Sequence, residues 1–161
     1  MLSAYRSARA ARHRGEQGFT LVEVMVVVLI IGILLAIGIP TFLGARSRAQ
    51  DRAAQSNLRI AQNTALILFT DDGTFAPATD AGLATAEPQL DWVVGTAAST
   101  DDKLVSVGPN TTGTEFGAAA LSDSGVCYFV RVRTDGATRY GKSSTTTCNA
   151  SNALVVNGTG W

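Results

Sequence analysis

The strongest pattern along the chain is a run from Phe19 to Ala45 in which Glu23 is the one charged residue. From Val24 to Ala45 there are 22 uncharged residues, about 33 Å of helix at 1.5 Å per residue, enough to cross the hydrocarbon core of a bilayer. Pro40 removes a backbone donor and its ring crowds the carbonyl of Ala36, while Gly38 loosens the backbone two residues earlier. A kink or meltable turn is therefore expected at Gly38 and Pro40, where a bend without function is the plainer reading.

After Ala45 the pattern changes. Ala54, Leu58, Ala61, Ala65, Leu68 and Phe69 recur at three- and four-residue steps, so the helix continues over 46–70 as an amphipathic rod with one apolar stripe. Arg46, Arg48, Asp51, Arg52 and Arg59 fall mostly off that stripe and read as a solvated face, with contact to another chain as the alternative. Asp71-Asp72-Gly73 supplies a stop, since Asp favours turns and Gly accepts a positive φ. A polar loop follows to Pro88, able to hold a short helix or strand. Val126 to Val132 then alternates Val126, Tyr128, Val130 and Val132 with Cys127, Phe129 and Arg131, the pattern of a central strand. Trp92 to Val94 and Lys103 to Val107 are weaker partners, and Asp135-Gly136 marks a hairpin into Arg139 to Lys142. These elements predict an α+β fold: a long N-terminal helix, half hydrophobic and half amphipathic, packed on a small antiparallel sheet of three or four strands.

Charge and composition narrow the chemistry. The net charge is zero, but residues 1–18 hold Arg6, Arg9, Arg12 and Arg14 against Glu16 alone, leaving 9 Lys/Arg against 12 Asp/Glu in the rest. Basic residues before the first apolar segment hold that flank in the cytoplasm and send the remainder outward. No basic field points to nucleic acid. His13 is the one histidine and lies in the basic segment, so the rest of the chain lacks an imidazole for a nucleophilic triad or a metal site; an enzyme is not expected. Glu23 stands out, because an acidic side chain at a helix centre costs roughly 2.5–3.5 kcal/mol on the insertion scale. Snorkelling to the headgroups is the alternative to a functional role. The apolar run is too long for the h-region of a secretory signal and no Ala-x-Ala site follows it; the small residue, Gly18, precedes the run instead.

Gly18 before the run, Phe19 opening it, Glu23 five residues in, and Gly32 and Pro40 within it make the chain resemble a type IV pilin precursor or its relative, the type II secretion pseudopilin. The motif covers about the first third of the chain. The resemblance implies a leader, 1–18, cleaved between Gly18 and Phe19 by a prepilin peptidase that also methylates the Phe19 amine. It implies an assembly helix over 19–45, its continuation over 46–70, and a head over 71–161. Glu23 would pair with the Phe19 ammonium of a neighbouring copy, and the helix near Gly38 and Pro40 would lose regular structure in the filament. The expected function is that of major pilin, with a type II secretion pseudopilin or minor pilin as the alternative and a non-polymerising membrane-anchored domain as the remote one. Expected partners are other copies of the chain, the peptidase, and the assembly platform with its ATPase. The cytoplasmic membrane holds the precursor in a single pass with its N-terminus inside, and the assembled filament is extracellular.

Cys127 and Cys148 are the two cysteines. In an exported head they can oxidise, and closing the roughly 20-residue loop stabilises the fold by about 3 kcal/mol in the chain-entropy model; two buried thiols or a two-cysteine metal site are the other readings, and the resemblance implies the disulfide. No cofactor is expected. Asp71, Asp72, Asp80 and Glu87 raise calcium, which some pseudopilins bind, but their spacing does not fit an EF-hand and solvated loop acids are the simpler reading. Asn110-Thr111-Thr112, Asn149-Ala150-Ser151 and Asn157-Gly158-Thr159 match the glycosylation pattern and read as exposed loops. Trp161 reads as a local packing anchor.

Overall fold

The computed structural model describes residues 18–144 and 147–161; the expected leader, up to Gln17, lies outside them. The chain divides into two compact units, 1–41 and 42–161. One helix, α1 (Leu21–Asp72), contributes to both.

In the first unit Thr20 caps α1: the Glu23 amide donates to Thr20 Oγ1 at 3.2 Å, and Leu21 is the first helical residue. This satisfies one of the amide donors that a helix start leaves open. Pro40 lies inside the helix. It cannot donate to Ala36, and the Thr41 hydroxyl donates back to the Ile37 carbonyl at 2.9 Å. Every described side chain up to Thr41 is exposed.

In the second unit the rest of α1 is followed by α2 (Asp80–Ala86), five strands and α3 (Ala150–Ala153). The strands are β1 (Asp91–Val94), β2 (Leu104–Pro109), β3 (Glu115–Leu121), β4 (Cys127–Arg133) and β5 (Thr138–Ser143), lying in sequence order. Neighbours are antiparallel except β1 and β2, which are parallel. The expectation of three or four antiparallel strands is thus corrected to five, one pair of them parallel. The crossover that lets β2 run the same way as β1 is made in the connection 95–103, pinned by buried Ser99 and Ser106. The Ser106 hydroxyl donates to Ala97 O at 2.7 Å, and the Ser99 hydroxyl accepts from the Leu121 amide at 2.8 Å.

Strand alternation places two cores on the two faces of the sheet. On one, Val105, Val107, Phe116, Ala118, Ala120, Tyr128, Val130 and Val132 join Ala54, Leu58, Ala61 and Ala65 of α1 in a single cluster. The apolar stripe of the helix is the one read from the sequence, with Leu68 and Phe69 partly buried at its end. On the other face Ala119, Cys127, Phe129, Cys148 and Ala153 form the smaller core under α3. Helix α1 stops where Gly73 adopts φ 67° and its amide donates to Phe69 O at 2.8 Å, the left-handed C-terminal cap that glycine permits. The β4–β5 turn closes with Gly136 N on Arg133 O and Ala137 N on Asp135 Oδ1, both at 2.9 Å.

Candidate assembly site and the comparisons that bear on it

The residues singled out in the sequence fall into two separate places. Gly18 and Phe19 precede the helix, and Phe19 is 80% exposed. Glu23 is the third helical residue, in the first turn, where a carboxylate complements the positive end of the helix dipole. Its side chain is exposed and, with Phe19, Val24 and Val27, lines a shallow hollow of about 180 Å³. Gly38 and Pro40 lie further along the same helix, which is assigned as helical throughout. From Leu21 to Leu43 the large apolar side chains are all at least 48% exposed. Among the described residues this is the one helix long and apolar enough to cross a membrane.

Thr20 was missed as a site residue although its signal is local: Thr20-Leu21-Val22-Glu23 has the spacing of a capping box, in which an N-cap hydroxyl serves the amide three residues on. Chemically, the start of α1 offers one free carboxylate at the head of an uncovered apolar surface. A cation that arrives with its own apolar helix is the complement to that arrangement, because a charge pair is far stronger away from water.

Cys127 and Cys148 lie in the other unit and are bonded, with Cα atoms 5.4 Å apart. The bond ties the segment leading into α3 to the interior strand β4. The four acids weighed for calcium do not converge: Asp71 and Asp72 end α1, Asp80 opens α2 and Glu87 caps its end. Among the described residues no three His, Cys, Asp or Glu side chains form a metal-holding group. Asn110 and Asn149 are used by the fold itself. The Asn110 side-chain Oδ1 accepts from the Thr114 and Glu115 amides, and Asn149 caps α3.

Two residues assigned to a solvated face are engaged instead. Asp51 Oδ1 accepts from the Ser122 hydroxyl at 2.8 Å and from the Ser124 hydroxyl, bridging α1 to the β3–β4 turn. Burial raises the Tyr128 hydroxyl above its ordinary 10.0, the nearby Asp51 charge raises it further, and a hydrogen bond with Gln55 acts the other way. The Arg59 guanidinium lies 5.7 Å from the centre of the Trp161 ring. That indole donates to Phe129 O at 2.9 Å and meets Tyr140 edge-on at 4.6 Å, which is the packing anchor expected of Trp161. Sequence reasoning missed these because the partners are 71 and more positions apart, beyond any helical or strand period.

The family described as the prokaryotic N-terminal methylation motif matches residues 13–39. Over 70 residues the chain is 41% identical to type II secretion system core protein G of Vibrio cholerae, covering 44% of this chain and 47% of that protein. It is 39% identical over 70 residues to core protein G of Aeromonas hydrophila, covering 44% and 48%. It is also 38% identical over 61 residues to the type IV major pilin protein PilA of Myxococcus xanthus, covering 38% and 28%. The chain thus spans about half the length of these core protein G relatives and less of the pilin. No solved structure gives a significant match. The methylation motif near its start, relatives of both kinds, and a long helix with a small, mostly antiparallel sheet together support the chain as a member of the pilin and pseudopilin superfamily.

Proposed function

We propose that this chain is a pseudopilin, a structural subunit of the short filament of a type II secretion system, in preference to the major pilin first expected. The relatives named core protein G support that choice. The observation that carries the assembly role is the exposed Glu23 in the first turn of a helix whose apolar side chains are uncovered. Processing would remove 1–18, leaving a methylated ammonium on Phe19, and the subunit would wait in the cytoplasmic membrane with 46–70 and the head, 71–161, on the far side. The assembly platform and its ATPase would then draw it into a bundle of its own copies.

The physical difficulty of that step lies in what drives it. Lipid tails are as apolar as the side chains of α1, so moving the helix from lipid to a bundle gains packing but little hydrophobic energy. A Glu23 carboxylate meeting the Phe19 ammonium of a neighbour supplies the specific term, and removing one side of such a buried pair costs about 3–5 kcal/mol. Because the two groups lie four residues apart, the pair also sets the axial register between copies. The helix around Gly38 and Pro40, already short of one backbone donor, is where regular structure would give way during packing.

The test is complementation of a deletion strain with wild type and Glu23→Ala, reading membrane insertion, enzymes secreted into the medium, and filaments sheared from the surface. Restored secretion without surface filaments supports the pseudopilin; abundant surface filaments built from this chain would return the reading to a pilin, which the similarity to PilA favours. Glu23→Ala is expected to insert and fold but to lose assembly at least a hundredfold, and normal assembly by that variant would sink the register mechanism.

A further inference from the structure

The stretch of α1 just after Ala45 carries charges that the assembly mechanism does not use. Arg46, Arg48 and Arg52 are exposed, and among the described residues none of them enters an ion pair or hydrogen bond. Arg59 is different, since it stacks on Trp161. The one acid in the stretch, Asp51, has its carboxylate held by Ser122 and Ser124. Three uncompensated guanidinium groups therefore remain within two turns of helix.

Their angular placement decides what could bind them. At about 100° per residue, Arg48 lies roughly 200° and Arg52 roughly 240° around the axis from Arg46. On the same scale the buried Ala54, Leu58 and Ala61 lie at roughly 80°, 120° and 60°. Arg46 and Arg48 thus stand on opposite flanks of the head-facing side, with Arg52 towards the back. A protein docking on one face would leave at least one of them unmatched, whereas a layer that surrounds the helix meets all three. Axially they lie about 1.5–10 Å beyond Ala45, close to the roughly 5–8 Å depth of one headgroup layer. Long helical side chains also lean towards the N-terminus. Arg48 does so: its Nη1 would be 3.7 Å from a Cβ placed on Gly44.

We propose that Arg46, Arg48 and Arg52 form a collar that binds the phosphates of anionic lipid headgroups where α1 leaves the bilayer. The proposal rests on the reading of 19–45 as the membrane anchor. Guanidinium suits the ligand because its forked donors match phosphate oxygens. Each arginine should favour an anionic over a zwitterionic lipid about fivefold, the equivalent of about 1 kcal/mol per basic residue at a membrane surface. The collar would hold the unassembled subunit at a defined depth until the platform extracts it.

The experiment is native mass spectrometry of the full chain released from nanodiscs of equimolar phosphatidylglycerol and phosphatidylcholine. Wild type should retain phosphatidylglycerol at least tenfold over phosphatidylcholine, the triple variant R46Q/R48Q/R52Q should fall to near parity, and R59Q should keep the wild-type ratio. Parity in the wild type, with the chain inserted, overturns the collar and leaves the anchor reading standing. A triple variant that keeps the lipid ratio but loses crosslinks between copies also overturns it, and assigns the arginines to a subunit interface. Failure of the wild type to enter nanodiscs overturns the anchor reading, and the collar with it.

Discussion

Replacing Asp51 with alanine separates two accounts of the amphipathic half of α1. On a solvated face its loss would matter by no more than about 0.5 kcal/mol, as for most surface substitutions. In the structure its carboxylate accepts from the Ser122 and Ser124 hydroxyls and interacts with the Tyr128 hydroxyl. A hydrogen bond to a charged group contributes about 1.5–3 kcal/mol, and Ser122, 1% exposed, cannot turn to water for a substitute. The three bonds share one acceptor group that is itself partly exposed, so they do not add in full. A loss of about 2–4 kcal/mol is expected for Asp51→Ala, with Asp51→Asn between it and wild type because an acceptor remains. The assay is urea denaturation of the full chain in detergent, followed by the fluorescence of Trp92 and Trp161. Ultraviolet titration of Tyr128, taken as the difference from Tyr128→Phe, gives an independent reading. Its midpoint should fall in Asp51→Ala, since the Asp51 charge is one of the causes that raise it. A stability change under about 0.5 kcal/mol with an unmoved Tyr128 midpoint would refute the bridge.

The remaining expectations use the same preparation. The double variant C127A/C148A opens a crosslink between residues 21 apart and should lose about 3 kcal/mol, lowering the melting temperature by roughly 10 °C; a drop below about 3 °C would contradict it, and reductant on wild type should have the same effect. Because Tyr128 holds its proton more tightly when folded, stability should decline as pH rises from about 10 through the raised folded value. Tyr128→Phe should remove that part of the decline, and an unchanged pH profile would count against the raised value. Gly117→Ala would put a Cβ 2.7 Å from Ala150 O and 3.1 Å from Leu154 Cγ, an overpacking that should cost about 1–3 kcal/mol. Gly160→Ala meets no atom within 4 Å and should be close to neutral by the same denaturation curves.

The legible parts of this protein are those whose signal repeats within a few residues. The stripe Ala54, Leu58, Ala61 and Ala65 is buried because helical geometry itself places those positions on one side. Strand β4 and the Asp135-Gly136 turn were legible for the corresponding reasons of alternation and turn chemistry. Strand β3 was not: Glu-Phe-Gly-Ala-Ala-Ala-Leu contains no β-branched residue and reads as weak helix. It is a strand because β2 and β4 pair with it on both sides, and it is small because space is short behind it, where Ala150 O approaches Gly117. Strand propensity largely measures such surroundings, so it fails where the surroundings are distant in sequence.

The division for the candidate site follows the same line. By itself the sequence determined the apolar run, its lone Glu23, the order of leader charge, glycine and phenylalanine, and the helical stripe, since each is a matter of composition or period over adjacent residues. Only the tertiary structure decided that β1 runs parallel to β2, that Asp51 bridges to Ser122 and Ser124, that Arg59 lies over the Trp161 ring, and hence that, among the described residues of α1, Arg46, Arg48 and Arg52 are the arginines left without a partner. The physical reason is that a side chain's charge and shape are local properties, whereas whether that charge is satisfied depends on which remote segment the fold brings against it.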